Sequence, residues 1–250
     1  MERTRRGSPS WFVRAFMQEG GEGPMQSSAR RGERPPKAAG LPGPTLARLP
    51  FYYRRLLRAL DEGQEIVSSE DLGQAAGVPA AQARKDLSYL GEFGRPGVGY
   101  DAEVLADHLA DFLGLTRDRA AIVVGAGRLG MALAAYTGFA RYGLHIEALF
   151  DIDPSKFKQR VGSKPILPMS SLGDWFQKHR VDLSIIAVPA FAAQAVADRL
   201  VEAGARALWN FTPREVQVPP HVYVQNEDLG TRLAIALYHL RLRDEEEEAE

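Results

Sequence analysis

Apolar positions recur at spacings of three and four between Leu46 and Leu60, at Leu49, Tyr53, Leu56, Leu57 and Leu60, which predicts a helix. A second, short helix capped by Ser69 carries Leu72, Ala75 and Ala76 and is broken by Gly77. A third begins behind Pro79, a residue suited to a first helical turn, and buries Ala83, Leu87 and Leu90. Residues 91–101 are Gly-rich and end in an alternating pattern, which reads as a hairpin. Residues 102–114 return to helical spacing through Val104, Leu105, Leu109, Phe112 and Leu113. From Arg119 the pattern changes. Apolar strands are predicted at 120–124, 145–150, 183–188, 206–209 and 222–224, with helices at 128–141, 170–179 and 190–203. That alternation specifies an α/β fold, a doubly wound parallel sheet. A last helix, 227–243, presents Leu229, Leu233, Ile235, Ala236, Leu237 and Leu240, a broad apolar face for a terminal element.

The segments outside these elements set the domain limits. Residues 1–44 are rich in Gly, Pro, Ser and Arg and read as a disordered basic tail. Residues 45–117 form a helical domain, 118–225 the sheet domain, 226–243 the terminal helix and 244–250 a disordered acidic tail. The 250 residues are 45% apolar and carry a net charge of −1, which gives no global push toward nucleic acid or membrane. No apolar run approaches the roughly 18 residues of a membrane span. Cysteine is absent, which removes disulfides, thiolate catalysis and most zinc sites. No metal site and a cytoplasmic location are expected.

One motif carries ligand chemistry. In "VVGAGRLGMALAAY" three glycines, Gly125, Gly127 and Gly130, follow an apolar strand and open a helix. This is where a dinucleotide-binding turn belongs. Gly125 permits the turn, Gly127 lets backbone approach a pyrophosphate, and Gly130 lets the helix lie close to the strand. The helix N-terminus offers free N–H groups and the positive end of its dipole, and Arg128 stands beside it. Asp151 ends the second strand 21 residues after Gly130, where an acid accepts bonds from the adenine ribose and disfavours a 2′-phosphate. Asp153 is the alternative acid, or merely the cap of the turn begun by Pro154. The strand ends "AVPA", 187–190, and "WNFTP", 209–213, make Pro189 and Asn210 candidate liners of the same crevice.

No catalytic group accompanies this site. His108, His145, His179, His221 and His239 have no acid at telling spacing, and Tyr136 has no lysine at helical spacing behind it. No substrate domain is expected beside the sheet domain. Upstream, three helices and a Gly-rich hairpin make a winged helix-turn-helix pattern, with "GVPA" as the short turn. Gln82, Arg84, Lys85, Ser88 and Tyr89 lie off the buried face of its third helix, and Arg95 sits at the wing tip. These residue types contact bases and phosphates. Opposing this, residues 45–117 hold eight basic and eleven acidic side chains, a net of −3. A DNA surface there needs local segregation of charge.

Taken together, "QARKDLSYLGEFG", "GVGYD", "VGAGRLGMALAAY", "FDIDPSK", "AVPA" and "WNFTP" resemble the Rex family of redox-sensing bacterial repressors, over about Leu46 to Leu240. The resemblance implies NAD(H) as the cofactor, held by Gly125, Ala126, Gly127, Arg128, Leu129, Gly130, Asp151, Asp153, Lys156, Val188, Pro189, Asn210 and Tyr136. It implies a homodimer on a palindromic double-stranded operator, bound with NAD+ and released by NADH. It also implies a terminal helix exchanged between subunits, and a switch built from Arg54, Tyr136 and Asp228. One departure stands out: where many members have an arginine directly before "GVGY", this chain has Pro96, with Arg95 one position earlier. A small NAD-dependent dehydrogenase and a coenzyme A-binding module are the competing readings. Asp151 argues against the second by repelling a 3′-phosphate.

Overall fold

A computed structural model describes residues 41–247. The basic segment predicted over 1–44 lies outside the described residues as far as position 40. Its last two residues begin helix α1, Gly43–Asp61. The chain divides into two units, the first closing at Leu115 and the second opening at Thr116.

In the first unit α1 buries Leu49, Tyr52, Tyr53, Leu56 and Ala59, one stripe of a 3.6-residue helix. Strand β1 (Ile66–Val67) leads to α2 (Ser69–Ala76). The cap of α2 is Ser68, not Ser69. Ser68 Oγ accepts from the Asp71 N–H, and the Asp71 carboxylate accepts in return from the Ser68 N–H, a capping box. Gly77 ends the helix at φ +67°, a left-handed conformation that glycine adopts without steric cost. Helix α3 (Ala80–Ser88) follows with Pro79 at its N-cap and buries Ala83, Asp86 and Leu87. The hairpin is present as β2 (Gly94–Arg95) and β3 (Gly99–Asp101), but β1 completes it into a three-stranded sheet in the order β1-β3-β2. Helix α4 (Ala102–Phe112) buries Ala102, Leu105, Ala106, Leu109 and Ala110. Val104, assigned to its apolar face from the pattern, is exposed.

The second unit is a seven-stranded sheet with the order β10-β9-β8-β4-β5-β7-β6. Its strands are β4 (Arg119–Val124), β5 (Leu144–Asp151), β6 (Arg160–Val161), β7 (Lys164–Pro168), β8 (Leu183–Ile186), β9 (Ala207–Asn210) and β10 (Tyr223–Asn226). All pair in parallel except β6, which returns antiparallel on β7. Helices α5 (Arg128–Ala135), α6 (Leu172–Lys178) and α7 (Ala193–Glu202) cover the faces. Alternating strand residues feed two cores. Ile122, Val124 and Ile186 meet α6 and α7, whereas Val123 and Ile185 meet Ala134 of α5. A register shift between Ala121 and Ile122 places the exposed Glu147 outside the pairing. The helix predicted over 128–141 breaks at Tyr136 (ψ 114°) and continues as a 3-10 segment, Thr137–Tyr142, closed by Gly143. The terminal helix α8 spans Leu229–Glu247, so the acidic residues 244–247 are helical rather than an unstructured tail. Leu233, Ile235, Leu237, Tyr238 and Leu240 on it are exposed.

Candidate functional site

Central strand β4 has β5 on one side and β8 on the other, so the strand order reverses there. Ligands of open α/β sheets bind outside the carboxyl ends of the strands at such a point. The loop after β4 is tied down on both sides. The Gly125 N–H donates to the Phe150 carbonyl at 2.7 Å, and the Ala187 N–H donates to the Val124 carbonyl at 2.8 Å. Gly125 holds φ +101°, and a Cβ there would stand 2.4 Å from the Ala187 carbonyl oxygen. A Cβ at Gly130 would stand 1.8 Å from the Gly125 carbonyl oxygen. At Gly127 a Cβ would meet nothing within 4 Å. Two glycines therefore serve close backbone packing, and the third opens onto space.

No side chain caps α5, so its first-turn N–H groups are left to a ligand or to water. With the opening at Gly127, this fits the pyrophosphate of a dinucleotide. Arg128 and Leu129 are exposed at the same helix end, and Val188 and Pro189 follow β8 at the carboxyl edge.

The acid at the end of β5 has a different environment from the one the spacing implied. Asp151 is buried. Its Oδ2 accepts from the Ala126 N–H at 2.7 Å and from Lys156 Nζ at 2.9 Å, and its Oδ1 accepts from the Asp153 N–H at 2.9 Å. Burial pushes its pKa up, but these bonds and the ammonium of Lys156 hold it below the usual carboxylate value. Asp151 thus staples the glycine loop to β5. The Asp153 carboxylate accepts from the Ser155 N–H and hydroxyl, capping the 3-10 turn Pro154–Lys156.

Asn210 is corrected as a crevice ligand. It is 0% exposed. Its amide donates to the Arg214 carbonyl and to Asn226 Oδ1, and its Oδ1 accepts from the Thr212 N–H and hydroxyl. With two donors and both acceptor positions engaged, it organises the loop after β9 and has nothing left for a ligand. Nor is His145 without an acid: its Nε2 lies 3.1 Å from Asp118 Oδ1. That pair sits at the amino ends of β4 and β5, the edge of the sheet opposite Gly125. Among the described residues no group of three His, Cys, Asp or Glu could hold a metal ion. No helix among them is long and apolar enough to cross a membrane.

In the first unit a cleft of about 770 Å³ lies between α3 and the wing, lined by Arg84, Leu87, Ser88, Phe93, Arg95 and Tyr100 among others. Arg84, Lys85 and Ser88 are exposed on α3, Tyr89 is exposed at its C-cap, and Arg95 is exposed on the wing. Arg84 Nη1 donates to Ser69 Oγ at 2.8 Å. Gln82 departs from the expectation. It is half-buried, and its amide donates to Asp86 Oδ1 at 2.9 Å, so it points toward α1 rather than toward a base.

Asp86 is the residue the pattern concealed. It is 0% exposed. Oδ1 accepts from Thr45 Oγ1 (2.9 Å), Arg48 Nη2 (2.9 Å) and Gln82 Nε2, and Oδ2 accepts from Arg48 Nε (2.6 Å) and Tyr52 OH (2.7 Å). Burial raises its pKa, and the bonds from Arg48, Tyr52, Gln82 and Thr45 outweigh that, holding it well below the usual carboxylate range. The signal was present as an acid between Ala83 and Leu90 on the buried stripe of α3, with Thr45, Arg48 and Tyr52 on one face of α1.

Of the three residues assigned to a switch, Arg54 lies in the first unit, exposed on α1, with its guanidinium 5.4 Å over the Phe51 ring. Tyr136 and Asp228 lie in the second. Tyr136 is exposed where α5 ends and meets Phe139 edge-on at 5.0 Å. Asp228 caps α8: Oδ1 accepts from the Gly230 and Thr231 N–H groups, and Oδ2 from the Thr231 hydroxyl. The hydroxyl bond from Thr231 is the main reason its pKa is lowered.

Comparison with known proteins agrees with both halves of this description. Residues 40–88 match a family model described as "Putative DNA-binding protein N-terminus", and residues 116–214 match one described as "CoA binding domain". The redox-sensing transcriptional repressor Rex of Chloroflexus aggregans is 46% identical over 199 residues, 80% of this chain and 94% of that protein. Rex of Streptomyces coelicolor is 43% identical over 213 residues, 85% of this chain and 83% of its own. Among solved structures, RSP in complex with β-NAD+ and operator DNA superposes with a TM-score of 0.73 at 35% identity, covering 82% of this chain and 94% of that one. RSP in complex with β-NADH gives 0.76 at 32% identity, covering 85% and 100%. At these identities and coverages, this chain belongs to the Rex family of redox-sensing transcriptional repressors.

Proposed function

We propose that this chain represses transcription by holding operator DNA on α3 and the wing, and that the nucleotide at the β4–α5 loop decides whether it does so. The observation that carries the reading is the opening at Gly127 beneath the uncapped N-terminus of α5. It is a receptor for a dinucleotide pyrophosphate. The N–H groups of the first turn of α5 would hold the pyrophosphate, with Arg128 beside them. Val188 and Pro189 would line the crevice. NAD+ brings a positively charged nicotinamide ring and NADH a neutral one. Tyr136, Asp228 and Arg54 are the residues the family resemblance assigns to reading that difference. A ligand shifts a two-state equilibrium only by its affinity difference between the states, so discrimination belongs to groups near the ring.

Arg84, Lys85, Ser88, Tyr89 and Arg95 would meet the DNA. The pairs Asp86–Arg48, Asp71–Arg55 and Glu62–Arg58 leave the net charge of −3 over 45–117 unchanged, so the DNA surface rests on the exposed cations Arg84, Lys85 and Arg95 being gathered on α3 and the wing. The exposed apolar face of α8 would be covered by a second copy of the chain. A two-fold dimer of such units calls for a palindromic operator.

The coenzyme A reading loses the argument made against it. The Asp151 carboxylate is neutralised by Lys156 at 2.9 Å, so repulsion by it does not exclude a terminal phosphate. An operator gel shift decides, with NAD+, NADH and coenzyme A titrated separately. Release by NADH alone supports the repressor. Release by coenzyme A, or by none of the three, refutes the assignment of NADH as the signal.

A further inference from the structure

The buried carboxylate of the first unit has a function beyond holding two helices together. We propose that Asp86 is a positioning residue for DNA recognition, an ionic clamp that sets the roll of α3 against α1. The proposal rests on the reading of α3 as the helix that meets DNA.

Three donors of the clamp, Thr45, Arg48 and Tyr52, stand at successive turns of α1, and the fourth, Gln82, stands one turn before Asp86 on α3. Arg48 grips the carboxylate with two parallel bonds, Nε to Oδ2 and Nη2 to Oδ1. That fork fixes the plane of the carboxylate as well as its position. Apolar neighbours alone, Ala83 and Leu87, would hold α3 against the core and tolerate a small rotation. Five directional bonds converging on one carboxylate do not. Buried ionic groups add little net stability against an apolar alternative, and their best-attested use is to specify one arrangement.

The geometry makes the roll matter. Arg84 and Lys85 directly precede Asp86, and Ser88 lies two residues beyond it, so any rotation at Asp86 is transmitted to all three. A side chain reaches roughly 5–6 Å from the axis of its helix, so a rotation of about 20° carries it sideways by roughly 2 Å. A hydrogen bond to a base edge, about 2.7–3.2 Å long, does not survive that displacement. Phosphate contacts, made by long flexible cations, largely do. Loss of the clamp should therefore cost specificity before it costs affinity for DNA in general.

The test uses the full-length protein and a duplex enriched by the wild type from a randomised DNA library. Affinity for that duplex is compared with affinity for poly(dI-dC), well below each variant's melting temperature, with NADH binding as a control on the second unit. For Asp86→Asn the ratio of specific to non-specific affinity should fall by about tenfold or more, the worth of one good base contact. Non-specific affinity and NADH binding should stay within about twofold. Tyr52→Phe removes one bond of the five and should lower the ratio by about threefold, the scale of a single buried hydrogen bond. A specificity ratio equal to wild type in both variants, with only the melting temperature reduced, would show that Asp86 is structural and overturn the proposal. If Asp86→Asn does not fold, an unchanged ratio in Tyr52→Phe overturns it alone. A wild type that enriches no duplex refutes the DNA reading of α3 itself, and the clamp proposal with it.

Discussion

Two glycines three residues apart should respond to the same substitution in opposite ways. Alanine at Gly130 places a methyl 1.8 Å from the Gly125 carbonyl oxygen and 3.0 Å from its carbon. Ordinary contact begins near 3.4 Å, so α5 and the loop must part by 3.4 − 1.8 = 1.6 Å. Both partners are backbone, and no side chain can turn aside. Overpacking of this kind costs about 1–3 kcal/mol. At about 2–4 °C per kcal/mol for a chain of this size, the melting temperature should drop by roughly 2–12 °C. Displacing α5 also moves its free N–H groups, so nucleotide binding should be lost as well. Alanine at Gly127 meets nothing within 4 Å, and its backbone (φ −80°, ψ −174°) suits any L-residue. The unfolded chain loses freedom, so stability should rise by about 0.4–1 kcal/mol. The methyl nevertheless fills the opening under the helix N-terminus, and NADH affinity should fall by at least about tenfold, the equivalent of 1.4 kcal/mol. Thermal melting without nucleotide, followed by fluorescence titration with NADH, separates the two effects. Wild-type NADH affinity in Gly127→Ala would refute the placement of the pyrophosphate. An unshifted melt in Gly130→Ala would refute the packing argument.

Three further outcomes follow. Asp228→Asn keeps an N-cap but removes the charge, whereas Asp228→Ala removes both. Circular dichroism should show helix loss only for Ala, while operator release by NADH should be altered in both, and normal release in Asn would exclude a switching role for the charge. Leu237→Glu places a charge on the exposed apolar face of α8 and should yield monomers by sedimentation, with operator affinity lost and the far-UV spectrum kept. Asp86 and Asp151 both have lowered pKa values. Their stabilisation is present above the unfolded carboxylate pKa of about 3.9 and disappears as pH falls through it toward the folded values. Acid unfolding should therefore begin near pH 4, and Asp86→Asn should flatten that limb for the first unit alone.

The alternation of strand and helix was legible because apolar runs bounded by glycine leave few choices, and Gly125 and Gly130 sit at the junction where backbone leaves no room for a Cβ. The misses have physical causes. Strand β7 contains Pro165 and Pro168, which demote a run of "KPILP" as a strand, and its antiparallel partner β6 is only two residues long. Ser68 and Ser69 are equivalent as letters, and the capping geometry alone chooses the first. Asp86 counted only toward the acidic balance and Asn210 read as a crevice liner, because composition does not reveal how many partners converge on a polar group. The glutamates after Asp244 continue α8 because glutamate is a good helix former, whatever its charge.

The staple at Asp151 has a consequence for how quickly the protein answers its signal. Gly125 is held by the Phe150 carbonyl, Ala126 by the Asp151 carboxylate, and Gly127 accepts from the Met131 N–H at 2.9 Å. The loop's shape is thus held by the chain's own hydrogen bonds. Ordering a mobile loop would be charged against affinity and would slow association, and neither penalty applies to a preorganised one. Arrival becomes a diffusional encounter and departure a matter of contacts alone. Occupancy should then track the nucleotide pool without a lag from loop rearrangement, with the Asp151–Lys156 pair holding the loop from outside the opening at Gly127.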